Sequence, residues 1–431
     1  MIAPAQRIAV IGAGIAGLGA AWTLARHHDV TVFEAAGRPG GHSHTVEVTT
    51  AGRTIAVDTG FIVYNLATYP NLIRLFDHLG VPTREGEMSF AVSADGGRLE
   101  YAGTDLGGLF AQRSNLVRPR FLGMVADILR FYREAPRLLA GPPSTATLGQ
   151  YLAAGRYGRA FIDDHLLPMA AAIWSCPAGT MLDFPAVSFV RFCDNHGLLR
   201  VRDRPQWRTV VGGSREYVHR LTSDLAGRIR LATPIADVIR HAGGVVLRGQ
   251  DGEEHRFDQV VLATHGDQAL RLLGDAGPDE RAILGAFRYA DNRTILHGDP
   301  RLMPRRRRVW SSWNYMAAGH DAARAVSVTY WMNRLQGLDP AVPLFVSLNP
   351  LVEPDPALVH GEYHYSHPIF DQAAIDAQAR LGEIQGRWRT WFCGSYHRWG
   401  FHEDGLTAGL DVAAALGALP PWAEPPLAAA A

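Results

Sequence analysis

The residue pattern with the most readable chemistry is Gly12-x-Gly14-x-x-Gly17, set between an apolar run, Arg7 to Ile11, and a helical pattern, Leu18 to His27. Gly12 permits a tight turn, Gly14 lets the backbone approach a pyrophosphate, and Gly17 allows a helix to pack closely on a strand. The helix N-terminus then faces the anion. Glu34 ends the next apolar run, Val30 to Glu34. A carboxylate there suits a ribose diol and disfavours a 2′-phosphate, so the pattern predicts FAD or NAD rather than NADP.

These groups need a scaffold, and the rest of the chain is read for it. A length of 431 residues, 47% of them hydrophobic, predicts two domains with a large core. Acidic and basic residues balance at 42 each, which gives no push toward nucleic acid. No lysine occurs anywhere in the sequence, so lysine Schiff-base or general-base chemistry is excluded. Cys176, Cys193 and Cys393 lie far apart without a CxxC, which argues against a zinc site or a disulfide scaffold and fits a cytoplasmic protein. The eighteen histidines form no HExxH, and no metal site or GxSxG elbow is expected.

The uncharged stretch Ile8 to Ala25 is long enough to span a bilayer. Its glycine spacing and the missing basic n-region make it a strand, a phosphate loop and a helix instead. Val46 to Val48 and Thr54 to Val57 read as a hairpin. From about Tyr69 to Gln206 the pattern turns helical, with Phe121 to Leu139 and Ala160 to Trp174 as helices. Strands are expected at Ile229 to Leu231, Val245 to Arg248, Val260 to Ala263, Ala325 to Trp331 and Thr390 to Cys393. Helices are expected at Gln372 to Ile384 and Leu406 to Leu416. The Pro/Ala-rich end after Pro420 reads as loose.

Further blocks carry a resemblance. Arg38-Pro39-Gly40-Gly41-His42 follows Glu34, and Asp58-Thr59-Gly60-Phe61 follows the hairpin. Val211 to Tyr217, Ile235 to Val238 and Asp258 to Thr264 come in the middle of the chain. Trp391 to Ser395 and Gly400-Phe401-His402-Glu403-Asp404-Gly405-Leu406 come near the end. These blocks resemble the flavin amine oxidase and phytoene desaturase superfamily.

The resemblance implies an α/β protein with a Rossmann-type, GR2-like, discontinuous FAD-binding domain (1–75, 205–270 and 385–431) and an inserted α+β substrate domain (76–204 and 271–384). It implies non-covalent FAD held by Gly12, Gly14, Ile15, Ala16, Gly17, Glu34, Ala35, Gly41, His42, Gly60, Phe61, Ile62, Val238, Ser395, His402, Glu403, Asp404 and Leu406. Two positions depart from the superfamily: His42 stands where an arginine is usual, and Ser395 where an acidic residue commonly meets the ribityl chain. No second GxGxxG follows a strand, which points away from an additional NAD(P)H domain.

A narrower likeness rests on Ala171-Ala172-Ile173-Trp174-Ser175, Asp194 to Leu199, Arg204 to Arg208, Trp331 to Gln336 and Gly400 to Leu406. These are similar to bacterial FAD-binding oxidoreductases encoded beside methyltransferases of the cyclopropane fatty-acid synthase type, one branch of which is linked to furan fatty acids. The likeness implies desaturation of a methylated fatty acyl or phospholipid chain, with a lipid methyltransferase as partner. A flavin isomerase, an amine oxidase without the lysine, or a non-catalytic FAD-binding partner of the methyltransferase remain the alternatives.

Phe121 to Tyr132, edged by arginines, and Arg305 to Arg308 could dock on an anionic bilayer at the inner face of the cell membrane. An ordinary core-facing helix and a solvated loop are the plainer readings. Oligomeric state is left open. Candidate proton-handling residues are His196, in the turn-like Asn195-His196-Gly197, His367, which alternation places on one strand face with Tyr363 and Tyr365, and Tyr315 beside Trp310 and Trp313. His397 and His402 flank the final motif, where they could tune the flavin.

Overall fold

The computed structural model describes residues 4–50, 52–142, 144–174, 178–318 and 327–423. The strand Arg7–Ile11 is the middle of a five-stranded parallel sheet. Asp29–Phe33 and then Ile229–Arg230 lie on one side of it, Gln259–Leu262 and then Thr390–Phe392 on the other. Strands from the start, middle and end of the chain thus share one sheet. Ile8, Ala9, Val10, Val260, Val261 and Leu262 are fully buried, as befits a parallel sheet covered on both faces.

The helix Ile15–Leu24 follows the first strand and is buried along its whole length. The closing helix, His402–Ala415, packs along it. Every residue of the stretch that resembled a membrane span is accounted for by this strand, loop and helix. Among the described residues no helix is long and apolar enough to cross a membrane.

The hairpin Thr45–Thr50/Arg53–Asp58 pairs Val46 with Val57 and Val48 with Ile55. Beyond it the chain builds a seven-stranded sheet in the spatial order Val359–Ile369, Arg288–His297, Phe345–Leu348, Ser327–Trp331, Trp313–Ala317, Phe90–Ala94, Leu99–Ala102. Three strands, Thr83–Gly86, Phe90–Ala94 and Leu99–Ala102, fall inside the stretch read as helical. They are short; Phe90–Ala94 pairs with Leu99–Ala102 as a local hairpin, but it joins the sheet through a partner far along the chain, lying parallel to Trp313–Ala317.

The helix expected over Phe121 to Leu139 is an α-helix from Pro119–Glu134 that tightens into a 3-10 turn at Ala135–Leu139, with Pro136 at the change. The helix expected from Ala160 runs Arg159–Phe161, a π-turn Ile162–Leu166, and Leu167–Trp174. Ser175 and Cys176, both named from the sequence, and the start of the strand expected from Ala325 lie outside the described residues.

Candidate functional site

The first strand is followed by Gly12, whose φ of +105° only glycine adopts without strain. A Cβ at Gly17 would overlap the carbonyl oxygen of Gly12, so the helix can approach the strand this closely only without one. Gly14 has open space where a side chain would be, and it starts the helix with no side-chain cap and no acid in the first turn. Gly41 closes in beside it: a Cβ there would lie 3.1 Å from the Gly14 Cα. The result is an uncapped helix N-terminus facing an open space, which is an anion seat. The Glu34 carboxylate accepts from the Ala13 N–H at 2.7 Å and the Ala36 N–H at 2.8 Å, which fixes it at the rim of that loop.

From this seat a cavity of about 770 Å³ runs between the parallel sheet and the seven-stranded sheet. Of the residues named from the sequence, Gly12, Gly14, Ile15, Ala16, Glu34, Ala35, Gly41, His42, Gly60, Phe61, Ile62, His367, Ser395 and His402 line it. Gly17 and Leu406 are buried in helix packing and do not. Val238 is buried in the core and also does not, whereas Ile235 and Ala236 of the same strand do.

Glu403 and Asp404 serve backbone. Glu403 accepts from the Asn71 and Leu72 N–H groups at 2.9 Å each, capping the helix Pro70–Leu79. Asp404 accepts from Trp399 and Phe401 N–H at 3.1 and 2.9 Å. Burial pushes the Glu403 carboxyl up to about 7 and that of Asp404 up to about 6.

His402 stacks flat on Phe61, with ring centres 3.8 Å apart, and its Nε2 lies 2.7 Å from the Tyr217 hydroxyl, which itself hydrogen-bonds Ser43. Burial lowers its pKa to about 3, so it is neutral. His42 faces His367 at 5.4 Å, Tyr365 at 5.1 Å and His265 at 6.3 Å between ring centres. Burial and the neighbouring imidazoles hold its pKa well below the usual value. His265, which lies just past the strand Gln259–Leu262, lines the cavity too. Nothing in the sequence singled it out beyond its place at the carboxyl end of a parallel strand, where such folds bind ligands.

The three proton-handling candidates are not brought together. His367 alone reaches the cavity. Its Nδ1 accepts from the Asn292 amide at 2.9 Å, and burial and His265 lower its pKa to about 4. The His196 Nδ1–H donates to the Phe192 carbonyl at 2.9 Å, and its ring packs behind Phe401, off the cavity wall. Tyr315 lies on the same strand face as Trp313, two residues on, and packs against the cluster of Val92, Tyr101, Phe121 and Met124. The remaining wall is aromatic, with Trp313 in it but not Trp310 or Tyr315: Trp174, Trp207, Trp313, Phe370, Trp399 and Phe401 all contribute. Among the described residues no group of histidines, cysteines and acids could hold a metal ion.

A parallel sheet, a glycine turn into an uncapped helix and a cavity at that turn define a dinucleotide-binding fold. The chain belongs to the family of flavin containing amine oxidoreductases, whose description matches residues 15–289. FAD is its cofactor, and the open space over Gly14, the fixed Glu34 carboxylate and the cavity volume fit that group.

AofH of Mycobacterium tuberculosis, named as a flavin-containing monoamine oxidase, is 28% identical over 267 residues, covering 57% of this chain and 54% of the relative. The chain therefore spans about half the length of the curated relatives it matches. Among solved structures, a CLA-producing fatty acid isomerase from P. acnes superposes with a TM-score of 0.66 at 17% identity, covering 96% of this chain and 99% of the other. Cyclohexylamine oxidase from Brevibacterium oxydans gives 0.68 at 16% with the same coverage. Wild-type putrescine oxidase bound to putrescine gives 0.67 at 16%, covering 95% and 98%. At such identities the shared property is the fold.

Proposed function

We propose that this chain is an FAD-dependent oxidoreductase that desaturates an apolar, methylated fatty acyl chain. The observation that carries the reading is the charge content of the cavity wall: among the described residues its only carboxylate and guanidinium side chains are Glu34 and Arg271. Glu34 is held at the glycine loop by two backbone N–H groups, so no acid among the described residues stands by the aromatic side chains to pair an ammonium. Burying an ammonium without a counter-charge costs several kcal/mol. Neutralising an amine of pKa about 10 at pH 7 costs about 4 kcal/mol. An acyl chain instead gains about 0.8 kcal/mol per buried methylene against such a wall.

FAD supplies the two-electron acceptor for this oxidation. The chain's own part is to orient the substrate and exclude water, with Trp174, Trp313, Phe370 and Phe401 as the enclosing surfaces. Asn292 is fixed by accepting from the Asn349 amide at 2.7 Å and donating to the Ala290 carbonyl at 3.1 Å. It therefore presents its N–H to His367 Nδ1, and neutral His367 carries its proton on Nε2. That makes His367 a hydrogen-bond donor to an oxygen in the cavity rather than a base.

Anaerobic mixing with a methyl-branched or monounsaturated acyl lipid is expected to bleach the visible flavin band, whereas putrescine leaves it unchanged. A band bleached by putrescine and untouched by acyl lipids would overturn the acyl reading. A double bond moved with no net electron transfer would make the enzyme an isomerase.

A further inference from the structure

The outer strand of the seven-stranded sheet, Leu99–Ala102, is wrapped by the segment that follows it. Gln112 accepts from the Glu100 N–H at 2.9 Å, Asn115 donates to the Glu100 carbonyl at 3.2 Å, and Arg118 donates to the Arg98 carbonyl at 2.9 Å. These contacts satisfy the strand edge and hold Leu116 and Val117 against that end of the molecule.

The arginine run arrives at the same place from 205 residues away in the sequence. The fully buried Glu100 carboxylate accepts from the Arg305 N–H at 2.7 Å and the Arg306 guanidinium at 2.7 Å. Arg308 pairs with Asp105 at 3.4 Å, which places Leu106 beside it. Val117 and Leu106, 79% and 75% exposed, are the two most exposed large apolar side chains among the described residues. They flank the strand Leu99–Ala102, Leu106 in the turn that follows it and Val117 in the segment that wraps it.

Charge decides which partner. Glu100, Asp105 and Asp164 on this end are each paired with an arginine. Arg98, Arg113, Arg305 and Arg307 are exposed and have no acidic partner among the described residues. We propose that this end of the molecule is a docking surface for an anionic bilayer, with Leu106, Leu116 and Val117 entering the headgroup region and the four unpaired arginines meeting lipid phosphates. The apolar face expected to do this, on the helix Pro119–Glu134, is instead turned into the core through Phe121, Met124 and Phe131. Of that helix, Leu122 and Leu129 remain exposed.

The test uses the FAD-loaded full chain and vesicles of phosphatidylcholine alone or with one-third phosphatidylglycerol, separated by sedimentation. The protein is expected to pellet with the anionic vesicles, stay in solution with the neutral ones, and come off in high salt. Arg305→Gln with Arg307→Gln should weaken the partition about thirtyfold. Leu106→Ser with Val117→Ser should weaken it about tenfold. An unchanged visible flavin spectrum and melting temperature show that both variants are folded.

No pelleting with anionic vesicles, equal pelleting with neutral ones, or unchanged partition of both variants would overturn the proposal. So would light scattering that shows a dimer in the parent and a monomer in Leu106→Ser/Val117→Ser, because the patch would then join two copies. The acyl reading is separately exposed. Flavin reduction by detergent-dispersed acyl lipid persists in these variants if that reading holds, whatever the vesicles do.

Discussion

At the scale of single residues, the glycine loop and the histidines beside it make different kinds of demand. Gly17 leaves no room for a Cβ against the Gly12 carbonyl. Gly17→Ala is therefore expected to push the helix off the strand and yield protein without the visible flavin band, checked by its absorbance after purification. His42 is neutral for a different reason: burial and the neighbours His367, His265, His402 and Arg38 all disfavour its proton, and no carboxylate offsets them. An anionic pyrophosphate entering beside Gly41 would favour that proton. Its pKa then lies higher in the loaded protein than in the empty one, protons are taken up on binding, and affinity falls as pH rises. FAD binding should thus weaken as pH rises from the lowered pKa of His42 in the empty site through its higher pKa in the loaded one, measured by quenching of FAD fluorescence. Calorimetry in buffers of different ionisation enthalpy should show the proton uptake. His42→Arg, which is charged throughout, should flatten the dependence; a parent affinity that does not change with pH would sink the idea.

At the scale of elements, the closing helix does two jobs with adjacent acids. Asp404 caps its own first turn, and Glu403 caps the helix Pro70–Leu79. The Glu403 carboxyl is held at about 7 by burial, above its ordinary 4.5. The folded state then binds a proton that the unfolded chain has already lost, so the stability this group contributes at low pH is lost as pH rises from about 4.5 through 7. Glu403→Gln cannot titrate and keeps one oxygen for the cap. Melting curves from pH 5 to 8 should fall more steeply for the parent than for the variant; parallel curves would show that the group does not titrate in this range.

At the scale of the whole molecule, the site exists only because distant stretches meet. Asp58, at the end of the hairpin, accepts from Thr45, from the Ser214 N–H and hydroxyl, and from Gln336. It is 1% exposed, and Asp58→Ala leaves several buried donors unpaired. The expected loss is about 3 kcal/mol, read from denaturant unfolding. The cavity is lined from the start, middle and end of the chain by Gly14, Ile235 and Ser395, so FAD seated there would bridge all three. Removing it should lower the melting temperature, and adding it back should restore the temperature in a concentration-dependent way. Saturation at a thousandfold over Kd corresponds to about 4 kcal/mol.

The strand, glycine loop, helix and acid of the first 34 residues were legible from the sequence because each is a local rule: a turn that only glycine makes, an apolar run, a carboxylate at a strand end. The hairpin and the closing helix were legible for the same reason. What covers the rest of the cavity was not. Trp174, Trp313 and Phe370 line one cavity through pairings between strands far apart in the chain, and no spacing in the sequence encodes those pairings. Periodicity identified the apolar side of the helix Pro119–Glu134, but a core-facing stripe and a bilayer-facing stripe have the same period. His196 and His367 looked equivalent as sequence, and tertiary packing put Phe401 between the first and the cavity while opening the second to it. The sequence by itself determined the nucleotide seat, since local backbone sterics suffice for that. Only the tertiary structure decided the wall facing the substrate, because long-range packing chooses which side chains meet there and which charges are kept out.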